Sequence, residues 1–160
     1  MSTLKVGVIG TGGIAKWHLT GYKANANAEI AAVADINGAR AESVAQEWGA
    51  SRSYANPADL FADSDVDAVS ICTWNNSHAE LAIAAIEAGK HVLIEKPMST
   101  TVAEAERVLA AAEASDRVVQ IGFVRRHSPN CQVLKTFVDS GELGDVYYGR
   151  SRCIRRAGNP

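Results

Sequence analysis

The sequence predicts an α/β fold built on a doubly wound parallel sheet. Three observations carry this. Short β-branched runs alternate with apolar stripes at helical spacing over residues 1–124. Each of the first five strand candidates is followed by a helix pattern, the order of a parallel sheet rather than of hairpins. Several strands read as apolar throughout, as strands buried on both faces do. Right-handed crossovers between such strands place helices on both sides.

The elements follow in order. Leu4 to Ile9 is short and β-branched, and a glycine cluster succeeds it. Ile14, Trp17, His18 and Gly21 then fall at helical spacing. Ile30 to Ala34 reads as the second strand, ended by Asp35. Ala41, Val44, Ala45 and Trp48 form a helix stripe with Gly49 as its C-terminal stop. Ser53 and Tyr54 make a brief third strand, and Pro57 opens a short helix where a proline costs nothing. Val66 to Cys72 is the fourth strand, and Ala79, Ala82, Ile83 and Ile86 the next stripe, closed by Gly89. His91 to Ile94 follows as strand five. A helix through Val102, Ala105, Leu109 and Ala112 comes next, with Thr100 or Thr101 as N-cap and Glu104 completing a capping box with Thr101. Val118 to Phe123 is the sixth strand. Beyond it the pattern changes: Val133, Leu134, Phe137 and Val138 predict one helix ended by Gly141, and Asp145 to Ile154 one strand. So short a stretch buries too little surface to stand alone. The reading is a domain over 1–124 and the start of an incomplete α+β second domain over 125–160.

Composition narrows the function classes. The 160 residues are 47% hydrophobic and 21% charged, with a net charge of -2, so no overall basic field points to nucleic acid or an anionic membrane. Arg125, Arg126, Arg150, Arg152, Arg155 and Arg156 gather near the end, but no stacking aromatics interleave them in a recognised motif; they read as a solvated or interface face. No apolar run approaches the ~20 residues of a membrane span, and the N-terminus carries no secretory pattern. Cys72, Cys131 and Cys153 are odd in number and far apart. They fit no disulfide or zinc framework, which places the chain in a reducing cytoplasm with no metal site.

Gly10-Thr11-Gly12-Gly13-Ile14-Ala15 has the form G-x-G-x-x-A directly after a strand and at the start of a helix. Gly10 permits the tight turn, Gly12 lets backbone approach a pyrophosphate, and Ala15 lets the helix pack on the strand. Exposed amides and the helix dipole favour phosphate there. Asp35, twenty residues past Ala15, ends strand two and would accept hydrogen bonds from the adenosine ribose. A glycine loop in this setting predicts a doubly wound parallel Rossmann sheet that binds a dinucleotide. Asp35 would repel a 2′-phosphate, which favours NAD over NADP. Arg40 is near enough to accommodate a phosphate; its plainer reading is an exposed helix arginine.

Ligands of such sheets bind beyond the carboxyl ends of the strands. Thr73 to Asn76 end strand four there, Glu95 and Lys96 end strand five, and Gln120 to Gly122 lie towards the end of strand six. From strand context alone, Lys96 reads equally as a surface lysine and as one delivered to an active-site mouth. His78 reads as a cap or packing residue at a helix start as well as a ligand contact, and His18 and His91 as packing or solvent-facing. Trp17, Trp48 and Trp74 read as packing residues.

GTGGIA at 10–15, AVAD at 32–35, DAVSICTWNNSHAELAIAAIEAGKHVLIEKPM at 67–98, QIGFVRR at 120–126 and LGDV at 143–146 together resemble the N-terminal part of the Gfo/Idh/MocA oxidoreductases, over essentially the whole chain. The EAGKHVLIEKPM run after T-x-N-x-x-H is the most specific part. The resemblance implies that Gly10, Thr11, Gly12, Gly13 and Ile14 hold the pyrophosphate of NAD, Asp35 the ribose, and Thr73, Asn75 and His78 the cofactor at the end of strand four. It implies that Glu95 and Lys96 lie beside the nicotinamide, with Lys96 catalytic at the reacting carbon–oxygen group, Gln120 near the same end, and Arg126 at the junction with the second domain. The reaction would be hydride transfer at a secondary alcohol of a sugar, inositol or related polyol, in a protein that is a homo-oligomer when full length. The remaining acid–base residues would lie beyond Pro160. The family has proline where this chain has Trp74. A truncated nucleotide-binding module without turnover is the alternative.

Overall fold

The computed structural model describes residues 3–154. They divide into two compact units at Gly122/Phe123. The first holds a six-stranded, all-parallel sheet in the order β3-β2-β1-β4-β5-β6. The strands are β1 (Leu4–Ile9), β2 (Ala28–Ala34), β3 (Arg52–Tyr54), β4 (Ala68–Ile71), β5 (His91–Ile94) and β6 (Val119–Ile121). The helices between them are α1 (Ala15–Lys23), α2 (Gly38–Trp48), α3 (Pro57–Ala62), α4 (His78–Glu87) and α5 (Val102–Glu113). Strand order reverses between β1 and β4, so the loops after these strands flank the switch point where doubly wound sheets bind ligands.

Alternation along the strands splits the core. Ile9, Val69, Ile71, Val92 and Ile94 face Leu60 and Phe61 of α3, Ala79, Ala82, Ala85 and Ile86 of α4, and Val108 of α5. Val8, Ile30, Val33 and Cys72 face Ala15 and Leu19 of α1 and Ala41 and Ala45 of α2. Gly7 carries no side chain because Leu60 occupies the space: an added Cβ would lie 2.8 Å from its Cδ2. Lys90 is buried, and its ammonium donates to the carbonyls of Asp63 and Val66 at 2.7 Å each, fastening the segment between α3 and β4.

The helix ends follow the sequence. Asn37 and Asn56 cap α2 and α3, accepting from the amides of Arg40 and Ala58. Thr101 and Glu104 form both halves of the capping box of α5. Gly49, at φ +76°, closes α2 in the left-handed conformation that disfavours side chains. The face of α1 differs from expectation. Ala15, Leu19, His18 and Tyr22 turn inward, at i, i+3, i+4 and i+7, while Trp17 is 76% exposed. Close packing of Ala15 on β1 fixes this rotation, and Ile14 and Trp17 fall outside it.

The second unit holds a 3-10 turn (Val124–His127) and α6 (Pro129–Asp139), followed by left-handed glycines at 141 and 144. Val133, Leu134, Phe137 and Val138 of α6 are exposed. Residues 145–154 form no strand, contrary to their β-branched and aromatic pattern. A strand is defined by its ladder, and among the described residues this segment has no partner. Residues 155–160, with Arg155 and Arg156, lie outside the described residues.

Candidate cofactor and active site

The glycine loop sits at the carboxyl end of β1. Gly10 has φ +82°, and its amide donates to Ala34 O at 2.8 Å. A Cβ there would lie 2.8 Å from Cys72 O and Thr73 Cγ2, so only glycine allows the loop to lie this close to the end of β4. Gly12 and Gly13 are exposed, and an added Cβ at either would meet nothing within 4 Å. No side chain caps α1, and its first turn holds no acid. The loop is therefore an open, uncharged cradle of backbone at a helix N-terminus, which suits a pyrophosphate.

Asp35 is buried at the end of β2 and ties this loop to its neighbour. Its Oδ2 accepts from the Thr11 amide at 2.9 Å, Thr11 Oγ1 at 2.8 Å and Arg40 Nε at 3.0 Å. Its Oδ1 accepts from the Asn37 amide at 2.9 Å and Arg40 Nη2 at 2.6 Å. Burial works to raise the Asp35 carboxyl, and the donors from Arg40, Asn37 and Thr11 outweigh it, holding the group down at about 2. Arg40 is thus a bidentate partner of Asp35 rather than a solvated helix arginine.

The other predicted residues line the same edge. Thr73 follows β4, its Oγ1 2.7 Å from Ser77 Oγ. Asn75 is exposed in a 3-10 turn (Asn75–Ser77), beside Trp74 at 85% exposure. His78 is 1% exposed. Its Nδ1 lies 2.7 Å from Pro97 O and its Nε2 3.1 Å from Thr73 O, so the ring sits between the loops after β4 and β5, and as a neutral imidazole it donates to one of the two carbonyls. Gln120 is exposed on β6, level with Leu93. Lys96 is exposed, and the Lys96–Pro97 peptide is cis.

The partner of Glu95 was not legible in the sequence. His18 Nε2 lies 2.9 Å from Glu95 Oε1. His18 is thus neither a packing residue nor solvent-facing, and spacing to Ala15 on α1 is the signal that would have turned it inward. His91 likewise has a partner: its Nδ1 accepts from the Val118 amide at 2.9 Å, joining the starts of β5 and β6. Cys72 lies on this edge too, its thiol pushed up to about 12 by burial and secondarily by the Glu95 charge.

A family profile, the oxidoreductase family with NAD-binding Rossmann fold, matches residues 4–123, the strands and loops that build this edge. The chain belongs to the Gfo/Idh/MocA oxidoreductase family. This member is 44% identical over 156 residues to inositol 2-dehydrogenase 3 of Saccharopolyspora erythraea, covering 96% of this chain and 45% of that one. It superposes on scyllo-inositol dehydrogenase from Lactobacillus casei, solved with NAD(H) and scyllo-inositol, at TM-score 0.85 and 29% identity, over 90% of this chain and 43% of that one. A 3-ketoreductase from Actinomadura kijaniata, solved with NADP, matches at TM-score 0.79 and 33% identity, over 88% of this chain and 44% of that one. The chain spans under half the length of these relatives.

Proposed function

We propose that this chain is the cofactor-binding portion of an NAD-dependent dehydrogenase acting on a secondary alcohol of an inositol or related polyol. The observation that carries the reading is the joined pair of loops after β1 and β2: an open glycine cradle bonded through Thr11 to a buried, ionised Asp35. In this reading Gly10, Thr11, Gly12, Gly13 and Ile14 hold the pyrophosphate, and Asp35 takes the ribose hydroxyls. Thr73 and Asn75 border the cofactor after β4, His78 positions both loops from below, and Gln120 borders the nicotinamide end. The bound nicotinamide supplies the hydride acceptor. Lys96 places an ammonium where alkoxide character develops on the substrate oxygen, and Glu95 anchors the turn that presents it. Inositol as the substrate class is supported by the relatives' activity. Residues 125–160 begin the substrate domain, the exposed apolar face of α6 suits a subunit or domain contact, and three free thiols suit a cytoplasmic location.

Titration of this chain with NADH and NADPH, read by quenching of tryptophan emission, tests the reading. NADH binds at least about tenfold more tightly, because a 2′-phosphate meets the Asp35 charge. Asp35→Ala narrows the gap. Equal affinities in the unaltered chain overturn the role of Asp35.

A further inference from the structure

Glu95 terminates a line of polar side chains that crosses the unit from α1. Tyr22 Oη lies 2.6 Å from Ser70 Oγ on β4, Ser70 Oγ lies 3.2 Å from His18 Nδ1, and His18 Nε2 lies 2.9 Å from Glu95 Oε1. Ser70 is 0% exposed, and the side chains of His18 and Glu95 are 10% and 14% exposed, so water does not readily substitute for these partners. A carboxylate only accepts, so the proton of the neutral imidazole is on Nε2. Nδ1 is then an acceptor and takes the Ser70 hydroxyl hydrogen. Ser70, having donated its one hydrogen, accepts from Tyr22. Every donor in the row has one acceptor, and all point the same way, towards Glu95.

The far side of the carboxylate is also confined. Glu95 Oε2 accepts the backbone amide of Lys96 at 3.2 Å. Gly122 closes on it from the β6 side, where an added Cβ would lie 3.1 Å from Oε1. The carboxylate therefore connects the His18 ring to the peptide of Lys96.

We infer that His18 is a positioning residue for the Lys96 site: Ser70 and Tyr22 hold its ring in the tautomer that donates from Nε2 to Glu95, and Glu95 thereby fixes the turn that carries Lys96 at the nicotinamide end. The inference rests on the cofactor reading above for where Lys96 acts, and on hydrogen-bond geometry alone for the row itself. It makes the row selective. It serves the nicotinamide end of the site and not the pyrophosphate and ribose end, which the glycine loop and Asp35 hold.

Two measurements on the chain test it. Long-range proton–nitrogen NMR of the neutral ring, recorded on the alkaline side of its titration, reports the His18 tautomer directly. The expected spectrum has Nε2 protonated and Nδ1 bare as a single species, and Ser70→Ala or Tyr22→Phe removes that uniformity. A neutral ring carrying its proton on Nδ1 overturns the inference. Binding of NADH is then compared with binding of ADP-ribose, which lacks the nicotinamide. His18→Phe weakens NADH by about tenfold and leaves ADP-ribose unchanged, and His18→Gln, which restores an N–H donor, recovers most of the loss. Equal losses for both ligands, or no loss for either, overturn it by reducing His18 to packing. Should His18→Phe fail to fold, the milder Ser70→Ala is compared in the same way. Failure of the unaltered chain to bind ADP-ribose counts against the cofactor reading, and the ring spectrum still decides the row.

Discussion

Asp35 shows how a single buried carboxylate can join two loops. Its five donors hold it at about 2, below the ~3.9 of an unfolded aspartate. A carboxyl depressed on folding adds stability above its unfolded value and loses that contribution as pH falls through its folded value. The window is therefore about pH 4 down to about pH 2, and the contribution above it is about 2 kcal/mol. Asp35→Asn is expected to lower stability by about that amount at neutral pH and to flatten the acid limb of an unfolding titration across this window. Cys72 gives the opposite case, a thiol kept protonated by burial. A thiol reagent at pH 8 is expected to modify the exposed Cys131 and Cys153 in the native chain and Cys72 only in denaturant, which mass spectrometry reads directly. Glycine loop and aspartate were legible at this scale because their spacing is local. The pairing of His18 with Glu95 was not: it joins residues 77 apart and exists only once α1 has rotated onto the sheet.

The elements themselves were legible where periodicity and end signals agreed. Pro57 and Thr101 each mark a helix start that the chain adopts, and Gly49 a helix end. Thr101 accepts from the Glu104 amide at 3.2 Å, and Glu104 returns a bond to the Thr101 amide at 3.2 Å. Thr101→Ala is expected to cost about 1 kcal/mol in denaturant unfolding, with the midpoint lowered and the slope unchanged. The sequence pattern failed at residues 145–154, where strand-forming residues lack a neighbour to pair with among the described residues. Propensity there describes what fits a sheet, and a sheet takes two strands. It also misplaced the inner face of α1, since Trp17 and Ile14 are apolar enough to suggest burial and the packing of Ala15 decides otherwise.

At the scale of the whole molecule, almost all the close-packed burial belongs to the first unit. Every residue of the two buried clusters lies between Val8 and Val108. The 3-10 turn after β6 places exposed Arg125 and Arg126 just past the boundary. Limited trypsin digestion is expected to cut first at these arginines and leave a resistant fragment that starts at residue 1; early cuts inside α2 or α5 contradict this division. The sheet also has an uneven profile: the inner strands β1 and β2 run six and seven residues, and β3 and β6 three residues each at its margins. Arg52 on β3 is further engaged by Asp63 and Asp65. A foreign strand arriving at either margin finds a template of three residues, about 10 Å long, and at one of them a knot of charge. Among the described residues, each margin of the sheet thus offers a newcomer little to pair with, which works against edge-to-edge growth of the sheet.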